Sequence, residues 1–257
     1  MPTFSLRRPI PVARAAWAAC IALAYVAAAA RAEEPATKAL PPAEAAATLK
    51  LPPGFQTTLF AGEPDVLQPI AMAFDRRGRL WVVECNSYPD WKSDRPGTDR
   101  VVILEDADHD GRFDRRTVFL DGQKNLSGIE LGFGGVWLCA APDLVFVPDR
   151  DGDDRPDGPA EVRLTGWSLD SQHNIVSGLI WGPDGWLYGC HGILHDSVVG
   201  TPETPEAERT RFNCAVWRYH PTRRAFEVFT QGSTNPWGLD FDARGQAFIT
   251  NCVIPHV

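Results

Sequence analysis

The chain has 257 residues and a net charge of −8, from 25 basic and 33 acidic residues. Nucleic-acid-binding domains carry basic surfaces, so this balance argues against nucleic acid as a partner. With 44% apolar residues, the chain is long enough to bury one sizeable hydrophobic core.

The N-terminus has the features of a transport signal. Arg7, Arg8 and Arg14 precede an apolar run over residues 15–30, and Ala30-Arg31-Ala32 forms a small-x-small cleavage site. The run is shorter than the roughly 20 residues of a bilayer span, although an uncleaved anchor is the alternative. We therefore expect a signal peptide at 1–32 and an exported protein, either periplasmic or membrane-associated. Residues 33–50 are rich in Ala, Pro and charge and are predicted to be a linker before a domain at 51–257.

Four similar segments predict the fold. Each is an apolar strand, a tight Asp/Gly turn and a second strand led by an aromatic residue. They span residues 70–84, 129–140, 177–190 and 237–250, aligned on Gly78, Gly135, Gly185 and Gly245. One supersecondary unit repeated every 50 to 60 residues is typical of β-propeller blades.

Further strands are expected between the repeats, so the predicted fold class is all-β. Apolar, β-branched or aromatic runs bounded by turn residues predict them at 51–62, 100–105, 116–120, 143–148, 160–164, 215–220 and 225–230. The one helical signal in this domain lies at 205–209. About four blades are present, so we expect the N-terminal part of a longer propeller or a truncated product, because an unclosed propeller exposes a sheet edge.

Cleavage of the signal would leave five cysteines, an odd number in an exported chain. Four of them follow a blade aromatic by two or four residues, as Cys139 follows Trp137 and Cys190 follows Tyr188. Even offsets place each cysteine on the same strand face as its aromatic. They are either buried strand residues or partners in disulfides that the sequence cannot pair. The chain has no C-x-x-C-H motif, so no covalent haem is expected on it.

Several stretches carry a family resemblance. They are LPPGFQTTLFAGEPDVLQPIAMAFDRRGRLWVVE, RVVILEDADHDGRFDRRTVF, FGGVWLCAAPDLVFVPDRDGDDRPDG, WGPDGWLYGCHG, AVWRYHPTRRAFEVF and NPWGLDF. From residue 51 onward the chain resembles the putative membrane-bound dehydrogenase domain of planctomycete and verrucomicrobial (PVC-type) proteins. More distantly, it is similar to glucose/sorbosone dehydrogenases. The resemblance implies a propeller of the six-bladed type, often followed by helical repeats and a haem c domain that this chain lacks.

The resemblance also implies a chemistry. Sugar dehydrogenases of this type use pyrroloquinoline quinone, with calcium polarising the cofactor and a histidine as general base. His173 matches the place of that base, and Asn235 matches the asparagine of an Arg-Asn-Pro element that binds the cofactor. Thr234 stands where the family has the arginine, which removes a charged contact. His173 as a loop histidine bonded to backbone is the alternative.

Two aspartate loops predict calcium. Asp106, Asp108, Asp110 and Asp114 occupy positions 1, 3, 5 and 9 of a loop, and Asp149, Asp151, Asp153 and Asp157 repeat these offsets. Clustered carboxylates repel one another, and a hard cation with oxygen ligands relieves this repulsion. The first loop has Gly111 at position 6, whereas the second has Asp154. Neither has the glutamate at position 12 that an EF-hand uses, and solvated turns are the alternative.

Two further clusters are candidates for ligand binding. The loop with Tyr88, Asp90, Trp91 and Arg95 could stack a carbohydrate, or it packs on its own blade. His191 and His195 have metal-ligand spacing, but a loop containing a glycine is not the helix that this spacing requires.

Two functions follow from these observations. The first is an exported dehydrogenase-like propeller that oxidises a sugar or alcohol with a quinone-type cofactor and passes electrons to a haem c domain. The second is a non-catalytic, calcium-stabilised propeller that binds glycan or protein, or that scaffolds such a haem domain.

Overall fold

The computed structural model describes residues 39–90, 94–170 and 175–252. Helix α1 (Pro42–Ala47) lies in the segment predicted as a linker, with a proline in its first turn and no buried residue. A short 3-10 turn at Glu206–Glu208 stands where the sequence indicated a helix. The strand predicted at 51–62 was wrong: this segment is irregular, and Phe60 makes a single backbone bond to Phe113.

Sixteen strands make up nearly all of the regular structure in these ranges. Sheet 1 contains β1 (Pro69–Phe74), β2 (Leu80–Glu84), β3 (Asp99–Glu105) and β4 (Arg115–Gln123). Sheet 2 contains β5 (Leu126–Leu131), β6 (Gly135–Ala140), β7 (Asp143–Pro148) and β8 (Glu161–Thr165). In both sheets the strands pair antiparallel in chain order.

Sheet 3 has the same plan with an insertion. Its strands are β9 (Ser177–Trp181), β10 (Leu187–His191), β13 (Ala215–His220) and β14 (Ala225–Gln231), and a hairpin of β11 (Ser197–Val199) and β12 (Thr210–Phe212) interrupts it. Sheet 4 contains β15 (Pro236–Phe241) and β16 (Ala247–Asn251). The predictions at 100–105, 116–120, 143–148, 160–164, 215–220 and 225–230 are confirmed to within a few residues.

The turn between the first two strands recurs in every blade, but the predicted turn glycine is wrong in sheet 2. Gly78, Gly185 and Gly245 have φ of 77°, 78° and 79°, a conformation that glycine adopts without strain. In sheet 2 the equivalent residue is Gly134, with φ of 77°, and not Gly135, which begins β6. The alignment was wrong there by one residue because this turn is shorter than the others.

The four sheets pack face to face in chain order, so that the middle sheets are buried on both faces. Along β6, Val136 and Leu138 contact sheet 1, whereas Trp137 and Cys139 contact sheet 3. Successive side chains of a strand point to opposite faces, so one apolar run contributes to two cores. Tyr188 and its neighbours on β10 pack in turn against sheet 4. Each sheet is therefore one blade of a β-propeller.

The blade cysteines are packing residues. Cys139 shares the core between sheets 2 and 3 with Trp137, and Cys190 shares the next core with Tyr188, which confirms the predicted strand faces. All five cysteines from Cys85 to Cys252 are thiols. Burial raises the pKa of the Cys190 thiol to about 12, so this side chain behaves as a small apolar residue.

The connections between strands gather at two ends of the blades. The turn end carries the links from first to second strand and from third to fourth, at 75–79, 106–114, 132–134, 149–160, 182–186, 221–224 and 242–246. The loop end carries the links from second to third strand and from blade to blade, with described residues 85–90, 94–98, 124–125, 141–142, 166–170, 175–176, 192–214 and 232–235. Because a meander reverses direction at every strand, the two sets lie at opposite ends.

Candidate functional site

Asn235 lies at the loop end, where the chain enters β15. It has a φ of 56°, in the left-handed region that asparagine tolerates better than most residues, and it is 3% exposed. Its backbone oxygen accepts a bond from Cys252 N at 3.1 Å. Its side-chain Oδ1 is buried and has no hydrogen-bond partner within the described part of the chain. A buried acceptor in this condition favours any ligand that brings a donor.

Asn125 is the counterpart of Asn235 at the entry to β5, and the sequence analysis missed it. Its φ is 57°, it is 5% exposed, and its Oδ1 also lacks a partner among the described residues. Its Nδ2 donates to the carbonyl of Ala141 at 2.8 Å. The signal was present in the sequence, because Asn125 and Asn235 both precede a blade repeat by a similar distance.

His191, at the end of β10, is a buried structural histidine. Its Nδ1 lies 2.7 Å from the Gly192 carbonyl, so this nitrogen donates, and its Nε2 accepts from Ser197 Oγ, also at 2.7 Å. Burial lowers the pKa of His191 to about 4. These contacts tie the inserted hairpin to sheet 3. Metal binding by His191 and His195 gains no support, because both ring nitrogens of His191 are occupied.

The quinone site predicted from the resemblance is only partly described. His173 falls in residues 171–174, outside the described part, and so does Trp91 of the carbohydrate candidate, in residues 91–93. Asn235 fits a contact to a bound cofactor, since its buried Oδ1 has no partner among the described residues. Thr234 supplies no charge, so a cation that holds an anionic cofactor has to come from another residue.

The first aspartate loop joins β3 to β4 at the turn end. Carboxylate oxygens of Asp106, Asp108 and Asp114 lie within 4.8 Å of one another, close enough to share one cation. Asp110 stands outside this trio, and its Oδ1 accepts from Arg112 N at 2.8 Å. Position 6 is Gly111, with φ of 87°.

The second aspartate loop joins β7 to β8 and gathers a different trio. Asp149, Asp151 and Asp153 approach within 4.8 Å, whereas Asp157 Oδ2 accepts from Arg150 N at 2.6 Å. Burial raises the pKa of Asp149, and the neighbouring carboxylates of Asp153 and Asp154 add to the rise. A bound cation would relieve this repulsion.

Asp154, at position 6 of the second loop, joins two blades. It has a φ of 68°, like the glycine of the first loop, yet its carboxylate accepts from Arg79 Nη1 and Nη2 at 2.6 and 2.7 Å. Arg79 is the last residue of the turn between β1 and β2, and its Nε also donates to Asp75 at 2.8 Å. This bidentate contact raises the pKa of Arg79. The pair borders a cleft of about 430 Å³ between blades 1 and 2.

The site residues therefore divide between two ends. Asn235 and its counterpart Asn125 stand at the loop end, where connections of neighbouring blades meet. Both carboxylate trios stand at the turn end, at the opposite end of the strands from Asn235. Calcium in these loops would support the blades at that end. Among the described residues, no helix is long and apolar enough to cross a membrane.

Comparison with known proteins identifies a family for this chain. Residues 41–257 match the model described as "Domain of unknown function (DUF7133)". The chain belongs to this family. No curated protein matches it. The family match covers every blade and leaves the activity open.

Several solved structures are similar to part of this chain. A "putative oxidoreductase (glucose dehydrogenase)" from Thermus thermophilus is 19% identical, with a TM-score of 0.44 over 72% of this chain and 57% of that one. The calcium-binding protein regucalcin from Agrobacterium tumefaciens is 11% identical, with a TM-score of 0.40 over 66% and 48%. A "putative gluconolactonase" is 14% identical, with a TM-score of 0.42 over 75% and 59%. This chain thus spans about half of each, and at these TM-scores the similarity does not indicate an activity or a ligand.

Proposed function

We propose that this chain is part of a dehydrogenase-like propeller that oxidises a sugar or alcohol with a quinone-type cofactor. The observation that carries the proposal is the buried Oδ1 of Asn235, which has no partner among the described residues. An amide held in this way, at an end where blade connections converge, is suited to bind a cofactor. The sequence resemblance supplies the class of reaction.

The candidate residues would have the following roles. Asn235 holds the cofactor, and His173 takes the proton of the substrate hydroxyl, a task for which an imidazole pKa near neutrality is suited. A bound quinone would supply the two-electron oxidant for conversion of the hydroxyl carbon to a carbonyl. A haem c domain on another chain or segment is the proposed next acceptor.

Reduction of a redox dye tests the reaction. The chain is loaded with pyrroloquinoline quinone and calcium and is assayed with a panel of sugars and alcohols. We expect dye reduction by the wild type and a loss of about 10²–10⁴-fold in the variant His173→Gln. His195→Gln, an exposed histidine outside the proposed site, is the control and retains activity. Equal rates for His173→Gln and the wild type would contradict the role of His173, and no reduction by the loaded wild type would contradict the reaction.

A second candidate function is a non-catalytic, calcium-stabilised propeller that binds glycan or protein or scaffolds a haem domain. Thr234 favours it, because the charged cofactor contact of the resembling family is missing. Glycan binding without dye reduction, under the same loading conditions, would establish this function and exclude the first.

Structural calcium is common to both candidates. We propose that the trios of Asp106 and Asp149 each bind one ion, because three carboxylates converge in each loop. A ligand at 100 times its Kd stabilises a fold by about 2.7 kcal/mol, which raises Tm by about 5–10 °C for a domain of this size. Calcium should therefore raise Tm, and Asp108→Asn or Asp151→Asn should reduce the rise. An equal Tm in calcium and in chelator would refute structural calcium.

Export completes the proposal. Residues 1–32 would be removed and the product would be periplasmic or membrane-associated. N-terminal sequencing of the fractionated protein should find a new terminus after Ala32 in the periplasm or on the membrane. An intact N-terminus in the membrane fraction would instead establish the uncleaved anchor.

A further inference from the structure

The cleft of about 430 Å³ between blades 1 and 2 lies at the turn end and has no role in the functions proposed above. The turn between β1 and β2 lines it on the side of blade 1, and the second aspartate loop lines it on the side of blade 2. All of its lining residues lie in the described part of the chain. The volume falls within the roughly 300–1,000 Å³ of small-molecule sites.

Two aspartates of the lining are already bound by a cation. Asp75 accepts from Arg79 Nε at 2.8 Å, and Asp154 accepts from Nη1 and Nη2 of the same guanidinium at 2.6 and 2.7 Å. Asp75 also accepts from the backbone N–H groups of Arg77 and Arg79, both at 2.9 Å. These carboxylates hold the two walls together and are not available to a ligand.

Arg77 carries its charge across the cleft to the second aspartate loop. Its Nη2 donates to the Gly152 carbonyl at 3.2 Å, and Gly152 N donates in turn to Asp149 Oδ1 at 3.0 Å. The Arg77 guanidinium therefore lies beside the second trio. Neither Arg76 nor Arg77 forms an ion pair with a described residue, and a guanidinium has donors beyond the one that Gly152 uses.

Calcium in the second trio would leave coordination positions open toward the cleft. The three carboxylates supply only part of the about six to eight oxygen ligands that calcium takes. Asp149 and Asp151 line the cleft, so a molecule in it can supply further oxygens. Without the ion, the trio would repel an anion, because its carboxylates form no ion pair with a described residue.

The charges of the lining favour a ligand with one negative charge. Four aspartates and four arginines line the cleft, and Asp153 of the trio adds a fifth carboxylate. This excess of carboxylates disfavours a dianion, whereas a neutral molecule would leave Arg76 and Arg77 without an anion. A carboxylate matches the fork of a guanidinium and is also an oxygen ligand for calcium.

We infer that, with calcium in the second trio, the cleft binds a sugar acid whose carboxylate contacts both the ion and Arg77. Hydroxyl groups of such a ligand are further oxygen ligands for calcium. The inference rests on the structural calcium proposed above and adds a ligand to it. It requires no quinone, and the site lies at the opposite end of the strands from Asn235.

Calorimetric titration of the full chain with glucuronate, in calcium and in chelator, tests the inference. Glucose is the probe without a charge, and sulfate is the probe with two. The test variants are Arg77→Gln, which removes the cation beside the trio, and Asp151→Asn, which removes one calcium ligand. Arg112→Gln is the matched control, because Arg112 is an exposed arginine beside the first trio and does not line this cleft.

In calcium, we expect glucuronate to bind the wild type and Arg112→Gln alike. Arg77→Gln should weaken this binding about ten- to hundredfold, the range for loss of a hydrogen bond between charged groups. Asp151→Asn and chelator should also weaken it, and glucose and sulfate should bind less tightly than glucuronate. Equal glucuronate affinity in calcium and in chelator would overturn the inference, as would equal affinity for the wild type and Arg77→Gln.

A parallel measurement of Tm separates this inference from the calcium proposal. If calcium raises Tm and Asp151→Asn reduces the rise, but glucuronate does not bind, only the sugar-acid site is refuted. If calcium leaves Tm unchanged, structural calcium and the sugar-acid site are refuted together.

Discussion

The contact between Arg79 and Asp154 should contribute measurably to the stability of the fold. The side chains are 9% and 20% exposed, and two charge-assisted bonds of 2.6 and 2.7 Å join blade 1 to blade 2. Removing one partner of a buried ion pair costs about 3–5 kcal/mol when the other charge is left alone. Here Asp75 still contacts Arg79, so loss of the Asp154 contact should cost about 2–3 kcal/mol.

The backbone of Asp154 adds a second contribution of opposite sign. A non-glycine residue at a φ of 68° is strained, and glycine relieves that strain. Asp154→Gly should therefore lower the free energy of unfolding by about 1–2 kcal/mol, and Asp154→Ala by about 1 kcal/mol more than glycine. Gly111→Ala is the matched control, since it adds strain at the same loop position where there is no ion pair.

Equilibrium unfolding in urea measures these differences, with Arg79→Met and the double variant completing a thermodynamic cycle. The reasoning predicts a coupling free energy above about 1 kcal/mol between positions 79 and 154. If Asp154→Gly is as stable as the wild type and the cycle shows no coupling, the contact does not hold the two blades together.

Three further predictions concern other parts of the fold. The pKa of His191 is lower in the folded state, so the unfolded state binds the proton more readily. The free energy of unfolding should therefore be greatest above about pH 6.5 and fall by up to about 3 kcal/mol as pH drops toward 4. In urea unfolding, His191→Gln should show a smaller pH dependence of stability in that window, and the same dependence as the wild type would contradict a buried neutral imidazole. Gly189→Ala should destabilise by about 1–3 kcal/mol, because its Cβ would overlap the buried ring of Trp217; unchanged urea unfolding would argue against this packing. Met72 lies on the outward face of β1 and is 68% exposed. Met72→Lys should therefore change the free energy of unfolding by less than about 0.5 kcal/mol and reduce aggregation measured by light scattering. Marked destabilisation would mean that this face is covered.

The repeat and most strands could be predicted from sequence because blade packing requires a recognisable local pattern of apolar residues and turn glycines. Alternate residues of one apolar run contribute to two cores, as Leu138 and Cys139 do, and turn glycines mark each hairpin. Gly135 was misassigned because the turn of blade 2 is shorter than the others, a difference that only strand register reveals. The segment at 51–62 has the composition of a strand but no partner strand among the described residues.

The candidate site was harder to predict, since its properties depend on contacts between distant residues. The sequence placed Asn235 by resemblance, but only the structure shows that it is buried and that its Oδ1 has no partner among the described residues. Asn125 was overlooked although it occupies the same position in blade 2. The aspartate at position 6 of the second loop looked like a departure from a calcium loop. In the structure, Asp154 makes the contact to Arg79 across the blade boundary.

The most direct test of the proposed function is a titration of the full chain with pyrroloquinoline quinone in calcium, followed by absorbance. The wild type and Asn125→Gly should shift the cofactor spectrum with the same affinity, whereas Asn235→Gly should bind at least about tenfold more weakly. A cofactor spectrum that no form of the chain alters, or one that Asn235→Gly alters as readily as the wild type, would contradict a quinone site at Asn235.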